Sequence, residues 1–255
     1  MKKALAVISF GTTFPDARRA IELIEQTLSD ALPDYDFYRA FTSSIVRKKI
    51  EREEGLRIPG AGELAEQLLA AGYEEIRCQS LHVMPGLEYE KMCRELAQYR
   101  EKFTRFTVGA PLLSQPEDCR AVCEGLLAGL PALAPDEAVV YMGHGTTHFA
   151  NAVYSELENR FRDLGAERVY VGTVEGFPGL DYIRGRLRNR RVRRVTLAPL
   201  MVVAGDHARN DLAGDGPDSW RSVLLRDGYD VRLDLRGLGE LAAVRERFAA
   251  HCKQV

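Results

Sequence analysis

The stretch VVYMGHGTTHF, Val139 to Phe149, runs apolar for four residues and then halts on a histidine held between two glycines. A short apolar run bounded by glycine reads as a strand buried on both faces, and an amphipathic segment from His148 to Leu164 follows it. The chain opens the same way. ALAVIS, Ala4 to Ser9, ends at FGTTF, and a helix begins near Pro15, a residue suited to a first helical turn, with Ile21, Ile24, Leu28 and Leu32 on one stripe. The same reading predicts strands at Asp36–Phe41, Glu75–Ser80, Phe106–Val108, Ala138–Met142, Arg168–Thr173, Val192–Ala198 and Asp230–Leu235. Helices are expected at Gly62–Ala71, Glu88–Arg100, Pro116–Leu127, His148–Leu164, Leu180–Arg188, Ser219–Asp227 and Leu241–Lys253. Strands alternating with crossover helices specify an α/β protein with parallel sheets.

The segment AGLPALAPDEA, Ala128 to Ala138, carries two prolines and no clear period, and it reads as a linker. On either side of it the chain repeats itself. VISFGTTF matches YMGHGTTHF, so that Gly11-Thr12-Thr13 aligns with Gly145-Thr146-Thr147 and Phe10 falls opposite His144. SLHVMPGLEYE matches PLMVVAGDHAR, so that Gly86 aligns with Gly205 and Glu88 falls opposite His207. The expectation is two similar lobes, residues 1–130 and 136–255, with the last helix able to pack back on the first lobe. A cleft at the carboxyl ends of their strands is where open α/β sheets bind ligands.

The totals restrict the function classes. A chain of 255 residues buries a core as one large domain or two lobes. A net charge of −2 with 28% charged residues lacks the basic excess of a nucleic-acid binder, so any anion must be met by local charge. The arginine run RGRLRNRRVRR, Arg184 to Arg194, reads as a solvated helix and turn. MKKALAVISFG has the lysines of a signal peptide but no cleavage site, and no segment approaches a membrane span, which points to the cytoplasm. The five cysteines, Cys78, Cys93, Cys119, Cys123 and Cys252, include no CxxC pair and are expected to be reduced and mostly buried. A homo-oligomer is compatible with such a chain, yet no stretch identifies an interface.

His144 and His207 each end an apolar strand in a glycine-containing turn, where the main chain can bend and expose a side chain. Two imidazoles from neighbouring strand ends can share a metal ion, and Glu175, in YVGTVEGFPG after the strand between them, is the candidate carboxylate. SFGTTF and GHGTTHF also sit before helices, where amides can hold phosphate. Neither has the GxGxxG or GxxxxGK[ST] spacing, and no GxSxG elbow is present, so nucleotide binding and serine hydrolysis rank below metal chemistry. His148 is placed outside the metal shell by its position on the following helix, and His251, in the terminal helix, is expected to be solvated.

KKALAVISFGTTF, FYRAFTSSIVRKKI, CQSLHVMPGLEYEKM, VGAPLLS, YMGHGTTHFAN, VGTVEG and LAPLMVVAGDHARNDLAGDGPDSW together closely resemble the anaerobic sirohydrochlorin cobaltochelatases of cobalamin biosynthesis. The resemblance runs in order from Met1 to about Gly239, and that family is similar to the class II chelatases, with two Rossmann-like lobes related by pseudo-two-fold duplication around a tetrapyrrole cleft. It implies insertion of a cobaltous ion, as substrate metal, into sirohydrochlorin without a nucleotide. Iron or nickel insertion is the enzymatic alternative, and a tetrapyrrole or metal carrier without turnover is the non-enzymatic one. By the resemblance, His144 is a metal ligand and general base, and Glu175 and His207 complete the metal site; Glu88, on the opposite wall in the repeat alignment, is a candidate to receive or relay protons, its alternative being a first-turn charge at a helix N-terminus. Phe10, Met84 and Leu87 become candidates for an apolar floor, with Ser9, Gly11, Thr12 and Thr13 beside them and His82 at another strand end. Arg47, Lys48, Lys49 and Arg209 are candidate partners for the substrate carboxylates.

Overall fold

The computed structural model describes residues 1–254. In chain order its elements are β1 (Lys3–Ser9), α1 (Pro15–Ala31), β2 (Asp36–Phe41), α2 (Ser44–Glu54), α3 (Ala61–Ala70), β3 (Glu75–Ser80), α4 (Leu87–Ala97), β4 (Arg105–Gly109), α5 (Pro116–Ala128), β5 (Glu137–Gly143), α6 (Ala152–Asp163), β6 (Val169–Thr173), α7 (Leu180–Asn189), β7 (Arg194–Pro199), α8 (Trp220–Arg226), β8 (Asp230–Leu233) and α9 (Ala242–Lys253). Each expected strand and helix has its counterpart, with ends shifted by a few residues. Also present among the described residues are α2, a π-helical turn at Ala208–Leu212 and short 3-10 turns at Arg100–Lys102 and Leu238–Glu240.

The strands form two four-stranded parallel sheets, ordered β2-β1-β3-β4 and β6-β5-β7-β8. In each, the first strand lies between the second and third, so the order reverses beside it, and the carboxyl ends flanking that reversal are the natural ligand positions. β1 and β5 are buried almost throughout, which is why their sequences are largely continuous apolar runs. In the first unit Ala4, Ala6 and Ile8 of β1 pack with Leu64 and Leu68 of α3 and Met92 of α4. In the second, Val140 and Met142 of β5 pack with Ile183 and Leu187 of α7 and Leu224 of α8.

The two units repeat at the level of single backbone hydrogen bonds. In the first, Thr42 N–H donates to Ser9 O, Ser43 N–H to Phe10 O and Leu81 N–H to Ile8 O. In the second, Val174 N–H donates to Gly143 O, Glu175 N–H to His144 O and Leu200 N–H to Met142 O. Past these bonds Leu112 and Leu113 bind the carbonyls of His82 and Val83, as Leu238 and Gly239 bind those of Met201 and Val202. Gly11 and Gly145 share the left-handed backbone, with φ of 90° and 84°. The equivalences Phe10 with His144 and Glu88 with His207 follow, and a third, Ser43 with Glu175, joins them.

One compact unit comprises Met1–Ser114 with the chain from Ala242 onward, the other Gln115–Leu241. These bounds differ from the expected 1–130 and 136–255. The reason is packing: α5 lies on α6, and α9 lies on α1 and β3. The proline-containing stretch after α5 is therefore a connection inside the second unit. The same packing corrects the expectation for His251, which is buried at 3% exposure and whose Nδ1–H donates to the Ala110 carbonyl at 3.3 Å. All five cysteines are free, and four are buried. The arginine run is held by acidic partners: Arg184 by Asp181 and Asp227, Arg186 by the buried Glu158, Arg190 by Glu167 and Arg194 by Asp136. Among the described residues no helix is long and apolar enough to cross a membrane.

Candidate metal centre

Three adjacent strands deliver three donors. His144 follows β5, Glu175 follows β6 and His207 follows β7, and the order β6-β5-β7 sets these strand ends side by side. One ligand atom from each lies within 4.8 Å of the others. Donors about 2.0–2.2 Å from a shared tetrahedral ion stand about 3.3–3.6 Å apart, so small side-chain rotations would draw the three onto one ion. The imidazoles of His144 and His207 meet edge to face, with centroids 4.5 Å apart and planes at 87°. Glu175 Oε2 lies 3.8 Å from His144 Nδ1. His144 and Glu175 are exposed and His207 is half-buried, so the donors are open to an incoming ligand.

The hydrogen bonds fix which nitrogens can coordinate. His144 Nδ1 lies 2.9 Å from the Gly145 carbonyl, and His207 Nδ1 lies 2.7 Å from Asp211 Oδ2. A carbonyl or carboxylate only accepts, so each Nδ1 carries the proton and each Nε2 keeps a free lone pair. A metal-bound histidine engages its second nitrogen in this way.

The turn bearing His144 is built from beneath. Gly145 N–H donates to the Tyr154 hydroxyl at 3.3 Å, and burial pushes that hydroxyl up to about 12, so it stays protonated. Gly143 leaves room for the ring, because a Cβ there would stand 2.1 Å from Tyr154 Cε1. Gly145 combines its positive φ with close contact, since a Cβ would meet the Glu175 carbonyl carbon at 2.8 Å. Asn151 ties the two ligand loops together: its Oδ1 accepts from Thr146 N–H at 3.0 Å and its Nδ2 donates to Phe177 O at 2.6 Å. None of Tyr154, Asn151 and Asp211 stands out in the sequence. Only Asp211 carries a readable signal, its spacing of four from His207 on one helical face.

The remaining candidates divide by surroundings. His148 caps the short turn Phe149–Asn151, its Nδ1 accepting from Ala150 N–H at 3.1 Å, and it is not one of the clustered donors. In the first unit Phe10 is 49% and Leu87 51% exposed, while Met84 is half-buried. Thr12 is buried, and its hydroxyl accepts from Phe14 N–H at 3.2 Å, a turn-forming duty, while Ser9 is buried as well. A Cβ on Gly11 would strike the Phe41 ring at 2.5 Å. Glu88 lies in the first turn of α4, where an acidic group suits the helix dipole, and its Oε2 accepts from Thr42 Oγ1 at 3.3 Å. His82 shares a 2.8 Å hydrogen bond between Nδ1 and Ser80 Oγ, its Nε2 is shut from solvent, and burial lowers its imidazole to about 4. Arg47 pairs with Glu63, and Arg209 Nε donates to Ala204 O.

A family model described as cobalt chelatase (CbiK) matches residues 3–255. The sirohydrochlorin cobaltochelatase of Salmonella typhimurium is 42% identical over 257 residues, covering 100% of this chain and 96% of that protein. The sirohydrochlorin cobaltochelatase CbiKC of Nitratidesulfovibrio vulgaris is 35% identical over 242 residues, covering 94% and 85%. Among solved structures, SirB from Bacillus subtilis with Fe3+ is similar in fold, with a TM-score of 0.66 at 15% identity, covering 100% of this chain and 95% of that one.

Proposed function

Because the chain belongs to the cobalt chelatase (CbiK) family, we propose that it inserts a cobaltous ion into sirohydrochlorin, with the ion first held by His144, Glu175 and His207. The observation that carries this reading is the convergence of those three donors at neighbouring strand ends. Insertion releases two pyrrolic protons for each divalent ion gained, so charge balances without a nucleotide. Three protein donors leave coordination positions open to water or to pyrrole nitrogen, which a donor of metal needs. A closed four-ligand site would retain its ion.

His144 serves twice, in sequence. While its Nε2 lone pair binds the ion it cannot accept a proton. As the ion passes to the macrocycle that lone pair is released beside the pyrrole and takes the first proton. Glu88, which holds in the first unit the place of His207 in the second, is our candidate acceptor for the second proton. Phe10 and Leu87, both exposed, and half-buried Met84 are apolar surface suited to the macrocycle. Iron and nickel compete for the same site, because a His/His/Glu donor set accepts several divalent ions. The five free thiols suit the cytoplasm as the place of reaction.

The test is anaerobic insertion of cobalt, iron and nickel, each limiting, into purified sirohydrochlorin, followed by absorbance beside His144→Ala. Cobalt insertion that needs His144 is expected. Preference for iron or nickel would keep the mechanism and change the product, whereas tight tetrapyrrole binding without insertion of any metal would refute catalysis.

A further inference from the structure

The metal centre has a neighbour that does not belong to the donor triad. Asp211 lies four residues after His207, on the π-helical turn Ala208–Leu212, and its Oδ2 stands 2.7 Å from His207 Nδ1. π-helical turns are rare and recur at functional positions. The bond joins two part-exposed side chains, 31% and 43% accessible, so neither group needs it to escape burial. An ion pair or charge-assisted bond at such exposure contributes little to folding, because solvent competes for both partners. What it does impose is orientation. An unrestrained imidazole turns about its Cβ–Cγ bond and exchanges its proton between nitrogens, presenting a lone pair at Nε2 only part of the time. A carboxylate accepting at Nδ1 removes both freedoms. His144 has the same restraint from the Gly145 carbonyl at 2.9 Å, a group fixed in the main chain. His207 depends for it on a replaceable side chain.

We propose that Asp211 is a positioning residue of the metal centre, holding His207 in the Nδ1–H tautomer so that its Nε2 faces the incoming cobaltous ion. The inference rests on the reading of His144, Glu175 and His207 as the metal site. Loss of such an outer partner costs about 10- to 100-fold in metal affinity. Asparagine at this position still offers an oxygen to Nδ1–H, whereas alanine offers nothing.

Two measurements on the full chain test it. Imidazole 15N–1H NMR of the metal-free protein should show His207 as the Nδ1–H tautomer in the wild type and in Asp211→Asn, and a mixture in Asp211→Ala. Titration with cobaltous chloride should show Asp211→Ala binding about 10- to 100-fold more weakly than wild type, Asp211→Asn near wild type, and thermal unfolding of both little changed. A single Nδ1–H tautomer and wild-type cobalt affinity in Asp211→Ala would overturn the proposal, as would failure of asparagine to restore them. His207→Ala separates this from the parent reading: if that variant binds cobalt as tightly as wild type, the metal site itself is misassigned, whatever Asp211 does to the tautomer.

Discussion

Replacing Gly145 by alanine tests whether the histidine turn is a packed and strained object or only a flexible loop. Two costs can be separated with a second glycine. Gly165, after α6, has φ of 78° and nothing within 4 Å of where an alanine methyl would sit, whereas Gly145 has φ of 84° and a Cβ there would meet the Glu175 carbonyl carbon at 2.8 Å and Thr173 Cβ at 2.9 Å. Gly165→Ala therefore bears only the left-handed backbone cost, about 1–2 kcal/mol. Gly145→Ala bears that cost and the overpacking, about 1–3 kcal/mol more, because two of its three close neighbours are main-chain atoms that cannot swing away. The Glu175 carbon must retreat by about 0.6 Å to reach the 3.4 Å at which ordinary contact begins, and it carries the Glu175 side chain, a proposed metal ligand, with it. Misplacement near 1 Å at a reacting site can cost about 100-fold in rate. Urea denaturation of both variants, with cobalt titration and insertion rates on each, reads all three effects. Equal destabilisation of the two variants, with cobalt binding intact in Gly145→Ala, would refute the argument that this glycine is required by contact with Glu175.

Three further outcomes follow from the same geometry. Glu88→Gln should slow insertion while leaving cobalt affinity unchanged in titration; an unchanged rate would return Glu88 to a helix-terminal charge. Tyr154→Phe removes the acceptor of the Gly145 N–H and should lower stability by about 1 kcal/mol in denaturant melts, and unaltered stability would show that the 3.3 Å bond contributes nothing. His82 titrates near 4 in the folded chain against about 6.5 unfolded, so the unfolded state binds the extra proton first and stability falls as pH drops through that window. Between pH 7 and pH 5 this amounts to about 2 kcal/mol, a loss that His82→Gln should remove from the pH dependence of urea unfolding; an identical profile in the variant would contradict it.

Strands buried on both faces write themselves as apolar runs, so β1 and β5 are legible in the sequence, as are helices with a full apolar stripe such as α1. Helix α2 is not, because it buries only Ile50, leaves Ile45 exposed, and is otherwise mostly charged, so no apolar stripe shows. His251 misleads for a related reason: α9 mixes apolar and charged residues around its circumference, and only its docking on α1 and β3 decides which side is covered. The donors His144, Glu175 and His207 are legible because each ends a strand in a conspicuous turn. Tyr154 and Asn151 act through a hydroxyl and an amide brought beneath those turns by the helix after β5, and a one-dimensional reading holds no trace of that approach. The equivalence of Ser43 with Glu175 is hidden because the two residues make matching backbone hydrogen bonds, to Phe10 O and His144 O, and have no chemistry in common.

That equivalence makes the first unit a blank of the second: a matching scaffold in which phenylalanine, serine and glutamate stand where histidine, glutamate and histidine form the candidate metal site. Descent from one ancestral half, followed by specialisation, would leave this record, with the coordinating set kept or gained in one copy only. The chain thus carries its own internal reference. Writing the donors into the blank as Phe10→His, Ser43→Glu and Glu88→His asks whether strand-end geometry suffices to make a cobalt site, and counting bound ions per chain, one or two, gives the answer.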